Sequence, residues 1–158
     1  MKRISLHIEF EEYENADQLP DSDKQLFRHA GNTADMAYAP FSGFMVGTAI
    51  RLENGIIITG NNQENVAFPS GLCAERVAFF AAKSKYPEIK ILAAAISAKS
   101  LSYPVNHAVT PCGACRQVIW DLCGNIDLIM TNDKNEIKVM KMSELLPFAF
   151  SDEKLKSR

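Results

Sequence analysis

The sequence predicts an α/β fold with a sheet covered by helices. Segments of strand period and helix period alternate along most of the chain. The length, 158 residues, amounts to about one domain. The composition, 47% hydrophobic and 23% charged, is that of a globular protein able to bury a core.

Ile4, Leu6, Ile8 and Phe10 alternate with Ser5, His7, Glu9 and Glu11. That period of two predicts a strand. The stretch 13–19 is polar and ends at Pro20. Pro20, Asp21, Ser22 and Asp23 open a helix, with acids suited to its positive end. Its apolar positions, Leu26 and Ala30, carry it across Gly31 to about Tyr38, and Pro40 stops it. Residues 44–51 read as a strand, Glu53-Asn54-Gly55 as a hairpin turn and 56–59 as the return strand. Residues 60–72 form a long loop rich in Asn, Pro and Gly, and loops of that length are often functional. A helix is expected over 73–85 and a strand apolar on both faces over 89–98. After a loop, Pro111 starts a second helix over 112–122. Residues 127–131 and 137–140 are strands joined by a turn at 132–135, and 143–146 is a short helix. The expected organisation is an extension over 1–20 that carries a strand, a folded domain over 21–150 and a frayed tail over 151–158.

Lys and Arg total 17 against 19 Asp and Glu, a net charge of −2. That balance argues against binding nucleic acid through bulk electrostatics and leaves small-molecule chemistry open. No apolar run reaches membrane-spanning length, and residues 1–10 lack the apolar core of a signal peptide. Four cysteines are few for a disulfide scaffold. The expectation is a cytoplasmic protein with reduced thiols and no membrane partner.

Three of those cysteines fall in two short motifs, Cys73-Ala74-Glu75-Arg76 and Pro111-Cys112-Gly113-Ala114-Cys115-Arg116. Cys112 and Cys115 share a face at the start of a helix, where free N–H groups favour thiolate. Two thiolates at that spacing are half of a tetrahedral zinc site, and Cys73 opens the other helix. Cys123 lies eight residues beyond Cys115, about 12 Å along a helix, too far to close the same site. It is expected to pack as a small apolar group. Three protein ligands and an open fourth position are the catalytic arrangement. Three thiolates leave the site formally negative, which opposes ionising a bound water, so a base is needed nearby. Glu75 can supply it where both Glu75 and Cys73 point off a helix end, and Arg76 can offset the thiolate charge. His7, His29 and His107 have no ligand spacing. Val77, Phe79 and Phe80 fit the buried face of the first motif's helix, and Trp120 fits core or a subunit contact.

The two motifs resemble those of the cytidine deaminases, small zinc-dependent nucleoside enzymes. The likeness extends to Tyr38-Ala39-Pro40-Phe41-Ser42 with Phe44-Met45-Val46-Gly47, to residues 60–65, to Arg116-Gln117-Val118 and to residues 144–150. The resemblance implies a three-layer α/β/α sandwich around a mixed five-stranded sheet. It implies one Zn²⁺ per chain on Cys73, Cys112 and Cys115. Glu75 would be the catalytic proton carrier, taking a proton from water, protonating the ring N3 and helping ammonia leave. Asn62 and Glu64 would bind ribose hydroxyls, Phe44 would pack on the base, and the Ala74 N–H would face the base carbonyl. Phe68 stands among the substrate-binding residues where a tyrosine is common, without the phenol hydroxyl. Asn61 stands where the family often has cysteine. The implied activity is hydrolytic deamination of cytidine and deoxycytidine to uridine and deoxyuridine in pyrimidine salvage, by a homotetramer whose chains share active sites. A related amino-heterocycle or modified nucleoside is the alternative substrate. The first eighteen or so residues lie outside the shared pattern.

Overall fold

The computed structural model describes residues 1–132, 134 and 136–151. In chain order the elements are β1 (Glu11–Tyr13), α1 (Asp21–Ala34), β2 (Phe44–Leu52), β3 (Ile57–Asn61), α2 (Ala74–Lys85), β4 (Ile91–Ser100), α3 (Gly113–Cys123), β5 (Asp127–Thr131), β6 (Ile137–Lys141) and α4 (Met142–Leu145). The expected turn at 132–135 lies partly, and the expected tail almost wholly, outside the described residues.

The strands form one mixed sheet in the order β1-β6-β5-β4-β2-β3. β4 and β5 are parallel, and every other neighbouring pair is antiparallel. Helix α1 covers one face, where Leu26 and Ala30 pack on Ala49, Ala95 and Ile129. Helices α2, α3 and α4 cover the other through Phe79, Ile119 and Leu145, packed with Ile50, Leu128 and Met130. This is the three-layer sandwich, with six strands rather than five because β1 adds to β6.

Small residues on the central strands let the helices approach. A Cβ at Gly47 would stand 2.1 Å from the Ala30 carbonyl oxygen of α1, and one at Gly60 2.5 Å from the Ala78 nitrogen of α2. Both obstacles are backbone, so neither position has room for a side chain. Ala93, Ala94, Ala95 and Ala98 serve the same end on β4, which is buried on both faces.

Two expectations need correction. The strand predicted over Ile4 to Phe10 is not paired: residues 1–10 carry no regular structure, and pairing begins at Glu11. Glu11 faces Val139, so Lys141, the last residue of β6 before α4, falls opposite Glu9, and the residues before Glu9 overrun the ladder. Helix α1 ends at Ala34, not at Tyr38. The Tyr38 N–H donates to Asn62 O at 3.1 Å, and Tyr38 O accepts from the Glu64 N–H at 2.8 Å. Those bonds draw Tyr38 into an extended bridge beside the 60–65 segment.

β3 and β4 both run antiparallel to β2, so they share a direction. Each feeds a helix in the same layer, α2 after β3 and α3 after β4. The starts of α2 and α3 therefore emerge at one end of the sheet, where open α/β sheets place their ligand sites.

Candidate metal centre and adjoining cavity

Cys73 is the cap residue before α2 and Cys112 the cap residue before α3, both with extended backbone. Cys115 sits in the first turn of α3 and is fully buried. The Sγ of Cys73 lies 3.9 Å from that of Cys112, which lies 3.4 Å from that of Cys115. All three sulfurs fall within 4.8 Å of one another. Metal–sulfur bonds of about 2.3 Å in a tetrahedron set sulfurs roughly 3.8 Å apart. The cluster has that size. Cys123 ends α3 at its far terminus and is not one of the group.

The electrostatics favour a cation. Hydrogen bonding from Cys115, and then from Arg76 and Cys112, pulls the Cys73 thiol down to about 5. The same Cys73 sulfur, with burial, pushes the Cys115 thiol up. One negative sulfur thus resists a second, and full ionisation of the set calls for a divalent ion at its centre. Two helix N-termini aim their free N–H groups at the same place. The Arg76 guanidinium reaches to 3.8 Å from Cys73 Sγ. Its Nε is buried and has no hydrogen-bond partner among the described residues. The donor set fits a zinc ion with three protein ligands.

Glu75, in the first turn of α2, is 5% exposed. Burial raises its carboxyl above the ordinary carboxylate value, against a smaller lowering by its own backbone N–H. A carboxyl so placed beside the sulfurs holds a proton more readily than an exposed one, as a proton carrier requires.

A cavity of about 300 Å³ adjoins Cys73 and Arg76, walled by Phe41, Asn62, Glu64 and Phe68. Asn62 Oδ1 accepts from the Val46 N–H at 2.7 Å, and its Nδ2 donates to Phe44 O at 2.9 Å. Glu64 accepts from the Phe41 N–H at 2.8 Å, the Ser42 N–H at 3.2 Å and the Ser42 hydroxyl at 2.5 Å. These two side chains hold the chain leading into β2 against the cavity wall. Phe44 is half-buried against Val46, Ala74, Ile96 and Ala98. The Phe41 and Phe68 rings meet edge-on at 5.4 Å between centroids.

Sequence reasoning missed two supporting parts. Arg116 donates to Pro111 O at 2.8 Å, Leu145 O at 2.9 Å and the Thr110 hydroxyl at 3.0 Å, which ties down the loop carrying Cys112. Its place directly after a ligand cysteine at a loop–helix junction was the available signal. Ser42 anchors Glu64 across 22 residues, and no local pattern announces such a contact.

The description "Cytidine and deoxycytidylate deaminase zinc-binding region" matches residues 20–130. A cytidine deaminase of Sporosarcina psychrophila is 40% identical over 133 residues, 84% of this chain and 93% of the relative. One of Halalkalibacterium halodurans is 37% identical, covering 82% of this chain and 95% of the relative. Among solved structures, cytidine deaminase of Burkholderia pseudomallei aligns with a TM-score of 0.72 at 32% identity, covering 80% of this chain and 97% of that one.

Proposed function

The chain belongs to the cytidine and deoxycytidylate deaminase family, and on that premise we propose that it is a zinc-dependent cytidine deaminase. It hydrolyses the 4-amino group of cytidine and deoxycytidine, giving uridine or deoxyuridine and ammonia. The observation that carries the reading is the three-thiol cluster, joined by no fourth ligand among the described residues and adjoined at Cys73 by a cavity, with the buried carboxyl of Glu75 in the first turn beyond Cys73.

Cys73, Cys112 and Cys115 hold the zinc, which when bound supplies the acidity that makes water a nucleophile at neutral pH. Glu75 accepts a proton from the attacking water on its carboxylate and passes it to ring N3 as the C4–O bond forms. The carboxyl then delivers the water's second proton to the departing amine, the C4–N bond breaks and ammonia leaves. Burial keeps the carboxyl out of bulk water, so the proton it takes is passed on rather than lost. Arg76 offsets the excess negative charge of three thiolates.

The cavity beside Cys73 takes the nucleoside. Asn62 keeps a second amide hydrogen and a second lone pair beyond its two backbone bonds. Glu64 keeps about one of its roughly four acceptor positions. Those remaining valences are assigned to ribose hydroxyls. Phe44 is assigned to the base, Phe68 to the rim and the Ala74 N–H to the base carbonyl. Phe41 and Phe68 are 53% and 73% exposed, which supports a homotetramer in which a neighbouring chain closes each site. Pyrimidine salvage in the cytoplasm is the matching role, and no helix of the described residues is long and apolar enough to cross a membrane.

The test is a nucleoside panel on zinc-loaded protein, with ammonia measured beside the absorbance change. Cytidine and deoxycytidine are consumed with one ammonia each, while free cytosine and adenosine persist. Absence of ammonia from cytidine refutes the assignment.

A further inference from the structure

The family match begins at residue 20, so residues 1–13 stand outside the matched region. They nevertheless carry a strand pattern of their own. Ile4, Leu6, Ile8 and Phe10 are 81%, 58%, 53% and 51% exposed. Along this arm, Glu9 N–H donates to the Glu144 carboxylate at 3.2 Å and Phe10 lies under the Lys138 ammonium at 5.3 Å. The arm leaves the sheet at Glu11 with its direction set by β1, and among the described residues the outer edge of β1 has no partner strand. A period-two row of four large apolar residues beside an open sheet edge is a strand awaiting a partner.

We infer that the arm pairs antiparallel with the same arm of a second copy, about a two-fold axis at His7. The side chains select that register. Ile4 then faces Phe10, and Leu6 faces Ile8, so all four apolar residues meet one another. On the polar face Ser5 meets Glu9. Arg3 meets Glu11 on that same face, and Lys2 meets Glu12, already paired with Lys138 at 3.1 Å, at the end of the apolar row, so each cation faces an acid twice by symmetry. An axis at Leu6 instead sets Phe10 against Lys2, and an axis at Ile8 sets Ile4 against Glu12. An odd shift puts the apolar row against the polar one.

The neighbouring surface has the complementary charge. A cavity of about 460 Å³ beside β1 is lined by Glu9, Glu11, Asp23, Asp127 and Glu144, with Lys141 as its cation. Asp23 is paired with Arg51 and Asp127 with Lys141. Among the described residues no lysine or arginine pairs Glu9, Glu11 or Glu144. Tyr13 packs on the α1 side of the sheet with Leu19, so Glu11 shares that face. The second copy's Arg3, opposite Glu11, arrives on the same side as Asp23 of α1 and Asp127 of β5. The pairing joins the two β1 edges and makes one sheet continuous through both copies.

The test is a cysteine scan of the zinc-loaded full chain. Directly opposed Cα atoms in an antiparallel pair are about 4.5–5.5 Å apart, inside the roughly 4.4–6.8 Å that a disulfide spans. His7→Cys opposes itself across the axis and forms a disulfide-linked dimer under mild oxidation. Leu6→Cys, Ile8→Cys and the exposed control Ser22→Cys link about tenfold more slowly or not at all. Reversing Lys2 and Arg3 to Glu slows the His7→Cys linkage by about tenfold, as does reversing Glu11 and Glu12 to Lys, and combining both reversals restores it. Turnover of the unoxidised variants reports that the domain is folded. Linkage at His7→Cys no faster than at Ser22→Cys overturns the proposal, whether the arm folds back on its own chain or binds another partner. Fastest linkage at Leu6→Cys or Ile8→Cys overturns the register, and charge reversals without effect overturn the complementarity.

Discussion

At Glu75 two demands meet in one side chain: burial beside negative sulfur raises its carboxyl, and the reaction needs a group that takes and returns a proton. Glu75→Gln keeps the shape and removes the proton, so it retains zinc while kcat falls by roughly 10²–10⁴-fold. Metal content and initial rates check this together. Arg76→Ala leaves the three sulfurs in place and removes their nearest cation, so zinc affinity drops about 10–100-fold in a chelator competition. Glu64 shows a third kind of tuning. Its bond from the Ser42 hydroxyl, and then the Phe41 N–H, holds its carboxyl below the ordinary 4.5. A depressed carboxylate stabilises the fold fully above its unfolded value and loses that contribution as pH falls through the folded one. Ser42→Ala moves the Glu64 titration back toward 4.5 in a side-chain NMR titration, and an unmoved midpoint rejects the Ser42 bond as its cause. The clustering of Cys73, Cys112 and Cys115 and the nearness of Glu75 were readable because these residues sit in two short motifs. The contacts of Phe41 and Ser42 were not, because they join segments that meet only after folding.

Among the elements, α2 places both Cys73 and Glu75, and its position on the sheet is fixed by the missing side chain at Gly60. Gly60→Ala drives a methyl into the Ala78 backbone and costs about 1–3 kcal/mol of stability. Because α2 shifts as a unit, zinc retention falls in the same variant, whereas Gly55→Ala, in the open hairpin turn, strains its positive φ and leaves zinc retention unchanged. Thermal melts and metal analysis of the two variants separate the effects. Most elements could be read from period and punctuation: β5 matches its expected bounds, and the Asn54-Gly55 turn brings β2 back as β3. The misreadings share a cause. Period two marks a chain suited to pairing but cannot say that β6 stops at Lys141, and helix period past Ala34 cannot reveal that Tyr38 is claimed by Asn62 and Glu64.

In the whole molecule the metal acts as a clasp. Cys73 and Cys112 lie 39 positions apart in the chain, with α2 and β4 between them, and the two helices they cap form one side of the sandwich with α4. The α/β class followed from alternation alone, but which helix starts converge depends on the strand order, and that order is set by pairings between distant segments. A ligand bound only by the folded chain stabilises it by about 2.7 kcal/mol at a hundred times its dissociation constant. Chelation therefore lowers the melting temperature as well as abolishing turnover, and added zinc restores both. Cys112→Ala reproduces the chelated state and is not rescued by zinc. Cys123→Ala is the decisive control: burial holds that thiol up at about 12, so it is neutral and apolar in character at the far end of α3. Its removal costs about 1 kcal/mol through lost packing and leaves one zinc per chain and full turnover. If Cys123→Ala instead releases zinc, the metal has a fourth sulfur ligand, the open corner does not exist, and the chemistry assigned to Glu75 has no place to occur.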